Sequence, residues 1–357
     1  MNEKFLESLQ LKNFRCFESK EFYFEKPTIL IEGKNGSGKT SLLEALHYLC
    51  YLKSFRTHIP RDMARFGTEG FFIKALFNGQ EIKVGCSGNK RHVKIDQKPV
   101  SSYQELRQAY RMITVTDDDL SLVKEGPDQR RSFIDHALVL YNPLLTPLFQ
   151  NYKQVLDNRN SLLYRGSSDK EELEVWTNKL WVLSQAIQQE RVQFLDLLKD
   201  NLKNPLLFHW SDRSLTLDYA AKKTNTHSTW EEFYKDWTQS IVKEEYLMKR
   251  SLFGTHLDDI TILFDTKPAR LFSSRGQQKL IVLLIKIAQI QLLIEKQGGT
   301  TFLIDDFFSD FDKQTINKLI ETCHELKTQL IFTSPSQEGL ETSTILSYDS
   351  QSITLNY

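Results

Sequence analysis

Apolar and polar positions follow two different periods along this chain, and the change of period divides it. From Phe5 to Val100 the pattern is mostly short runs of β type separated by turn residues. An Asn78-Gly79 pair between the runs Phe71 to Phe77 and Gln80 to Cys86 suits a type I′ hairpin, in which both central residues take positive φ. One helix interrupts this region: it follows an apolar strand, Thr28 to Ile31, begins near Gly38, and sets Leu42, Leu46, Leu49 and Cys50 on one face.

Between about Arg130 and Arg250 helical periods dominate. Trp176, Leu180, Leu183, Ile187, Phe194 and Leu198 repeat with coiled-coil spacing, which predicts a helical arm whose stripe is a packing seam rather than a platform for bases. A short β-like break, Leu206 to Tyr219, precedes another helix for which Ser228 and Glu231 form a candidate capping box. After Gly254 strands and helices alternate: a helix from about Ser274 to Lys296, a strand Thr301 to Ile304, a helix after Asp312 and a strand Gln329 to Phe332. The expected fold class is α/β: a head with an antiparallel β lobe, residues 1–125 and 251–357, and an inserted helical arm, residues 126–250.

Composition narrows the reading. With 357 residues and 40% hydrophobic content the chain can build a substantial core. Lys+Arg and Asp+Glu both total 46, so contact with nucleic acid has to come from a local patch. Two groups of basic residues are candidates: Lys53, Arg56, His58, Arg61 and Arg65, and the pair Arg130-Arg131, against the ordinary reading of a solvated face. Cys16, Cys50, Cys86 and Cys323 are too scattered for a zinc site or a disulfide framework, which fits a reducing cytoplasm. His47, His136 and His256 lack partners at metal spacing and read as structural or surface residues. The most apolar helix candidate, Leu280 to Ile294, is interrupted by Lys286, Gln289 and Gln291, so no membrane segment is expected.

Three segments carry chemistry. Gly33-Lys34-Asn35-Gly36-Ser37-Gly38-Lys39-Thr40 satisfies the phosphate-loop pattern G-x-x-x-x-G-K-S/T between a strand and a helix. Glycines let the backbone wrap phosphates, Lys39 is expected to reach the β- and γ-phosphates of ATP, and Thr40 to ligate Mg2+. The run Phe302-Leu303-Ile304-Asp305-Asp306 has the form of a Walker B strand, with Asp305 in the magnesium shell and Asp306 orienting or deprotonating the attacking water. An acidic turn after a buried strand has the same form, and the phosphate loop is what favours the catalytic reading. The 266 positions between Lys39 and Asp305 leave room for the arm. Finally, Ser273-Ser274-Arg275-Gly276-Gln277 opens a long helix and is similar to the L-S-G-G-Q signature of ABC ATPases, where Ser274, Gly276 and Gln277 would bind the γ-phosphate of a facing subunit. An ordinary serine N-cap is the competing reading. Ser309 to Asp312 stand in the position of a D-loop.

With these segments in place the chain resembles the RecF family of bacterial recombination and gap-repair proteins. The resemblance rests on Leu9 to Arg15, Lys53 to Arg56, Asp119-Leu120, Gly126-Pro127, Arg130 to Asp135, Ser274 to Gln277 and Leu303 to Asp306, in order and across nearly the whole chain. It implies a weak, DNA-stimulated ATPase, with an ABC-type phosphate-loop head, that closes as an ATP-dependent homodimer on double-stranded DNA near single-strand gaps. It also implies assistance to RecA filament assembly together with RecO and RecR, in the cytoplasm. Arg56 is similar to an arginine that couples DNA to hydrolysis in SMC-type heads, and Arg61 and Arg65 are further DNA candidates. Asp117 stands where that family usually has proline, and Leu257 where it has arginine. An SMC-like or defence-type ABC ATPase with another DNA-linked role is the alternative; an ABC transporter motor would carry a shorter helical insertion.

Overall fold

The computed structural model describes residues 5–88, 90–100, 106, 111–166, 169–203, 210, 213–222, 226–306, 310–326, 328–334 and 349–355. The chain divides into two compact units: Met1–Leu120, Asn204–Ser211 and Ser274–Tyr357 form one, and Ser121–Lys203 and Asp212–Ser273 the other.

The first unit holds two sheets. Five parallel strands run in the order Ser350–Thr354, Thr28–Glu32, Gln329–Ser334, Thr301–Ile304, Met112–Val115. Thr28–Glu32, Thr301–Ile304, Gln329–Ser334 and Met112–Val115 are buried at every position, as expected of parallel strands covered on both faces. Against them lies the helix Arg275–Gln297. By length and composition its Arg275–Lys296 stretch could cross a membrane, yet its apolar window is 89% buried inside the fold. Its polar interruptions are built into the interior: Lys286 donates to the Thr114 carbonyl at 2.9 Å and pairs with Asp119 at 2.9 Å, and Gln289 and Gln291 are buried. The second sheet is antiparallel, in the order Phe17–Tyr23, Leu6–Phe14, Gly70–Phe77, Gln80–Ser87, Lys90–Ile95, Lys98–Pro99. Its strict alternation packs Leu9, Leu11, Ile73, Ala75, Ile82 and Val84 inward. The expected turn at Asn78-Gly79 is present, with φ of 45° and 74°. Gln329 ties the two sheets, its side chain accepting from Leu6 N at 2.8 Å and donating to Leu6 O at 2.9 Å.

The second unit is built on the helices Pro127–Tyr141, Thr146–Arg165 and Lys170–Leu202. Leu180 and Ile187 from the predicted seam enter a core with Tyr152, Val155, Phe233, Trp237 and Phe253, and Trp176 and Leu183 pack at its margin. At its centre a fully buried Arg159 makes two hydrogen bonds to the buried Glu245, at 2.9 and 2.5 Å, and further ones to Thr177 and Ser251. Trp237 also donates to Glu245, from a π-helical segment Trp237–Ile241, so both charges are matched by hydrogen bonds.

Three details differ from the sequence reading. The helix N-cap is Thr229, which accepts from Glu232 N at 3.3 Å, one position beyond the expected Ser228 and Glu231 pair; extended Thr229 (φ −125°) is what starts the helix at Trp230. The β-like break resolves into the strand Leu215–Ala220, and Leu206 to Phe208 lie outside the described residues. That strand pairs with Asp259–Phe264, which in turn pairs with Lys267–Pro268. This pairing holds Ser251–Ser273 in the second unit, so the unit bounds fall at Leu120 and Ser273 where the sequence pattern suggests 125 and 250.

Candidate functional site

The buried strand Thr28–Glu32 delivers the loop Gly33 to Thr40 to the helix Lys39–Tyr51. Two glycines in it are required by space as well as by angle. A Cβ on Gly33 (φ +157°) would stand 2.5 Å from Ser37 Oγ, and one on Gly38 (φ +98°) 2.7 Å from Cys16 Sγ. Lys34, Asn35 and Gly36 are exposed on the outer turn. Lys39 is buried, and its ammonium group donates to the carbonyls of Gly33 at 2.6 Å and Lys34 at 3.2 Å, held on the inner side of the loop where the phosphates of a nucleotide would lie. Ser37 Oγ is buried and makes no hydrogen bond among the described residues. An unmatched buried hydroxyl, a cation and a helix N-terminus at one loop fit a phosphate ligand.

Thr40 Oγ1 donates to Asp305 Oδ1 at 3.1 Å, joining the loop to the end of the acidic strand across 265 positions. The same oxygen accepts from Thr333 Oγ1 at 3.0 Å, and Thr333 Oγ1 in turn accepts from Asp306 N at 2.8 Å. Thr333 comes from the neighbouring parallel strand; only the strand order brings it here. Asp306 sits at φ 44°, a left-handed backbone that a non-glycine residue adopts at some cost. Burial raises the Asp305 carboxyl above the ordinary carboxylate range, opposed by the Thr40 and Thr333 hydrogen bonds. Asp306 is also raised by burial, while the cations of Lys39 and Lys279 act in the opposite direction. A threonine hydroxyl beside an aspartate oxygen is a hard-oxygen donor set suited to magnesium.

Ser274 caps the helix Arg275–Gln297 in a full capping box: its side chain accepts from Gln277 N at 3.3 Å, and its own N–H donates to Gln277 Oε1 at 2.8 Å. Gly276 lies close to the carbonyl of Asp310, where a Cβ would stand at 3.4 Å. The next turn supplies a feature absent from the sequence reading. Lys279, with a fully buried side chain, pairs with Asp310 at 2.8 Å and Asp117 at 3.2 Å, and Arg275 reaches the same two carboxylates at 3.1 and 3.5 Å. Asp117 thus stands at the family's usual proline position as a charge that pairs with the first turns of the helix Arg275–Gln297. Ser309 of the expected D-loop lies outside the described residues.

Arg56 is 44% exposed and lies 3.4 Å from Glu44, a fully buried carboxylate one turn beyond Thr40. Glu44 also accepts from Arg15, at 2.8 and 2.5 Å, and from Ser54. An acid set among Leu42, Leu43, Ala45 and Leu46 is the sequence signal for this buried carboxylate. Arg65 pairs with Glu18 at 3.0 Å, and Arg61 is exposed. Arg130 and Arg131 do not form a free basic patch: Arg130 is buried against Asp259, at 2.7 and 3.0 Å, and Arg131 bonds to Asp128 and to the Asp258 carbonyl. His47 bonds to Thr114 at 2.8 Å and His256 to Tyr152 at 2.8 Å, both structural positions.

Comparison with known proteins adds kinship to this geometry. A family model described as an AAA domain matches residues 8–331. The DNA replication and repair protein RecF of Desulfitobacterium hafniense is 30% identical over 345 residues, covering 93% of each chain. That of Bacillus cereus is 31% identical, covering 96% of this chain and 94% of its own. In fold the chain is similar to a solved structure of the recombination mediator protein RecF-ATP in the RecFOR pathway, with a TM-score of 0.81 at 24% identity over 95% and 94% of the two chains. The head domain of Smc from Pyrococcus furiosus, with an extended coiled coil, gives a TM-score of 0.58 at 14% identity, with 99% and 94% covered. The phosphate loop, the acidic strand and the inserted second unit thus lie within a likeness that spans nearly the whole chain, and the chain belongs to the RecF family of ABC-type ATPases.

Proposed function

We propose that this chain binds and slowly hydrolyses ATP, and that the nucleotide cycle closes and reopens a homodimer on double-stranded, gapped DNA during repair and replication. Gly33 to Thr40 wrap the phosphates, with Lys39 on the β- and γ-phosphates. Thr40 and Asp305 are the residues that would hold Mg2+, which when bound neutralises phosphate charge. Asp306 orients or deprotonates the attacking water, helped by a backbone that its N–H bond to Thr333 fixes. Ser274, Gly276 and Gln277 serve the γ-phosphate of the facing subunit, exchanging the capping box for phosphate contacts. The unit carrying the loop is the ATPase head and the helical unit its arm. The names of the relatives support the DNA-linked role, and the pathway named for the similar structure supports RecO and RecR as partners; assistance to RecA loading, in the cytoplasm, completes the proposed role.

One observation carries this reading: the 3.1 Å contact of Thr40 with Asp305, which unites the two motifs at one point. The test is Asp306→Asn. The amide keeps size but removes the base, so affinity for a fluorescent ATP analogue is expected to stay within about two-fold while turnover falls by at least about 10²-fold. Unchanged turnover would reduce Asp306 to a strand-end acid.

A further inference from the structure

The basic residues that stand out in the sequence lie near the phosphate-loop helix or in the arm, but the antiparallel sheet gathers another set. Its outer hairpin, Lys90 to Pro99, carries Lys90, Arg91, His92, Lys94 and Lys98 against a single acid, Asp96. Asp96 is turned back into the hairpin, accepting from Glu81 N and Gln80 Nε2 at 2.9 Å. Lys90, His92 and Lys94 alternate onto one face and are exposed; Lys98, paired with Ile95, is exposed from the other face at the sheet edge. The register continues the charge inward: Lys94 faces Lys83, Lys83 faces Lys74, and Lys74 faces Gln10. Lys12 follows on the same face, exposed.

Like charges directly opposed across strands destabilise a sheet. Glu81 relieves one such pair, bonding Lys74 at 2.7 Å and Lys83 at 2.5 Å. Among the described residues Lys12, Lys90, Lys94 and Lys98 have no ion pair. Protection of a sheet edge accounts for Lys98-Pro99 on the last strand, but not for lysines on interior strands with neighbours on both sides. Folding alone therefore leaves the row unexplained, and a polyanion bound on it would offset the repulsion.

We propose that the hairpin Lys90 to Pro99, with the lysine row that continues from it across the solvent face of the sheet, binds the phosphate backbone of duplex DNA. The hairpin contains no Phe, Tyr or Trp on which unpaired bases could stack, so its chemistry suits the backbone of a duplex rather than single-stranded bases. This assignment rests on the DNA-linked reading above.

The test compares the wild-type chain with the double variant Lys90→Gln, Lys94→Gln by fluorescence anisotropy on a labelled duplex over a salt series, with ATP-analogue affinity as a check on folding. The expected result is a loss of roughly ten-fold or more at about 0.1 M salt. The slope of log affinity against log salt should fall by about 0.9 for each lysine that contacts a phosphate, with ATP affinity unchanged. A variant that binds the duplex with wild-type affinity and slope overturns the hairpin assignment and leaves the DNA-linked function standing. The same holds if only retention on a polyglutamate resin is lost, since that points to an acidic protein. A wild-type chain that binds no duplex, with or without ATP, overturns both.

Discussion

A buried imidazole gives this molecule a pH dependence of definite sign. Burial is the main cause that moves His256 down from 6.5 to about 4; a bond to the Ser251 backbone opposes it, and the cation of Arg131 adds to it. Between those values the unfolded chain binds a proton that the folded chain does not, so stability is full above pH 6.5 and declines as pH falls toward 4. The loss amounts to at most about 3.5 kcal/mol, from about 1.4 kcal/mol per pKa unit. Urea denaturation of the wild type and His256→Gln between pH 7.5 and 4.5 should show a steeper loss in the wild type; equal slopes would remove His256 as the cause. Residue by residue, what the sequence disclosed were positions whose chemistry is local. The loop at Gly33 to Thr40 and the helix cap at Ser274 are built from their own backbone, and a short motif suffices to place them. Glu44, Lys279 and Thr333 act through partners that only the tertiary fold brings near, and no spacing rule reaches from Lys279 to Asp117 or from Thr333 to Asp305.

Among the elements, the helix Arg275–Gln297 carries the most testable role. Its N-terminus presents an exposed serine and a glycine, while Arg275 and Lys279 are drawn aside by Asp117 and Asp310. If a partner's γ-phosphate docks there, Ser274→Arg places a bulky cation in its path without touching the subunit's own phosphate loop. ATP-analogue affinity of the monomer should stay within about two-fold while hydrolysis drops by at least about 10²-fold, the scale of one lost transition-state contact. A parallel fall in both would assign Ser274 to its own subunit's fold. Strands and helices with one strong period were legible to within two residues, as Thr301–Ile304 and Arg275–Gln297 illustrate. The strand Leu215–Ala220 was less so, because its partner Asp259–Phe264 lies across a helical segment and pairing rather than period decides it.

For the whole molecule, the order of motifs predicts a head interrupted by an insertion, and the parallel sheet explains why an interruption is tolerated. Thr28–Glu32, Thr301–Ile304 and Gln329–Ser334 need only be neighbours in space, so a compact unit with its own core can intervene between the first and the second. The basic surface was illegible for the same reason: Lys74, Lys83 and Lys94 are spread along the sequence and become a row only through register. The claim on which the account depends is that ATP held at the phosphate loop assembles two copies. Sedimentation velocity of the 41.7 kDa chain and of Lys39→Ala, each with and without ATP and magnesium, measures this directly. The account predicts that ATP doubles the mass of the wild type, that gapped duplex DNA stabilises the dimer, and that Lys39→Ala remains a monomer throughout. A wild-type mass unaffected by ATP, or a Lys39→Ala variant that dimerises as fully as the wild type, would contradict it.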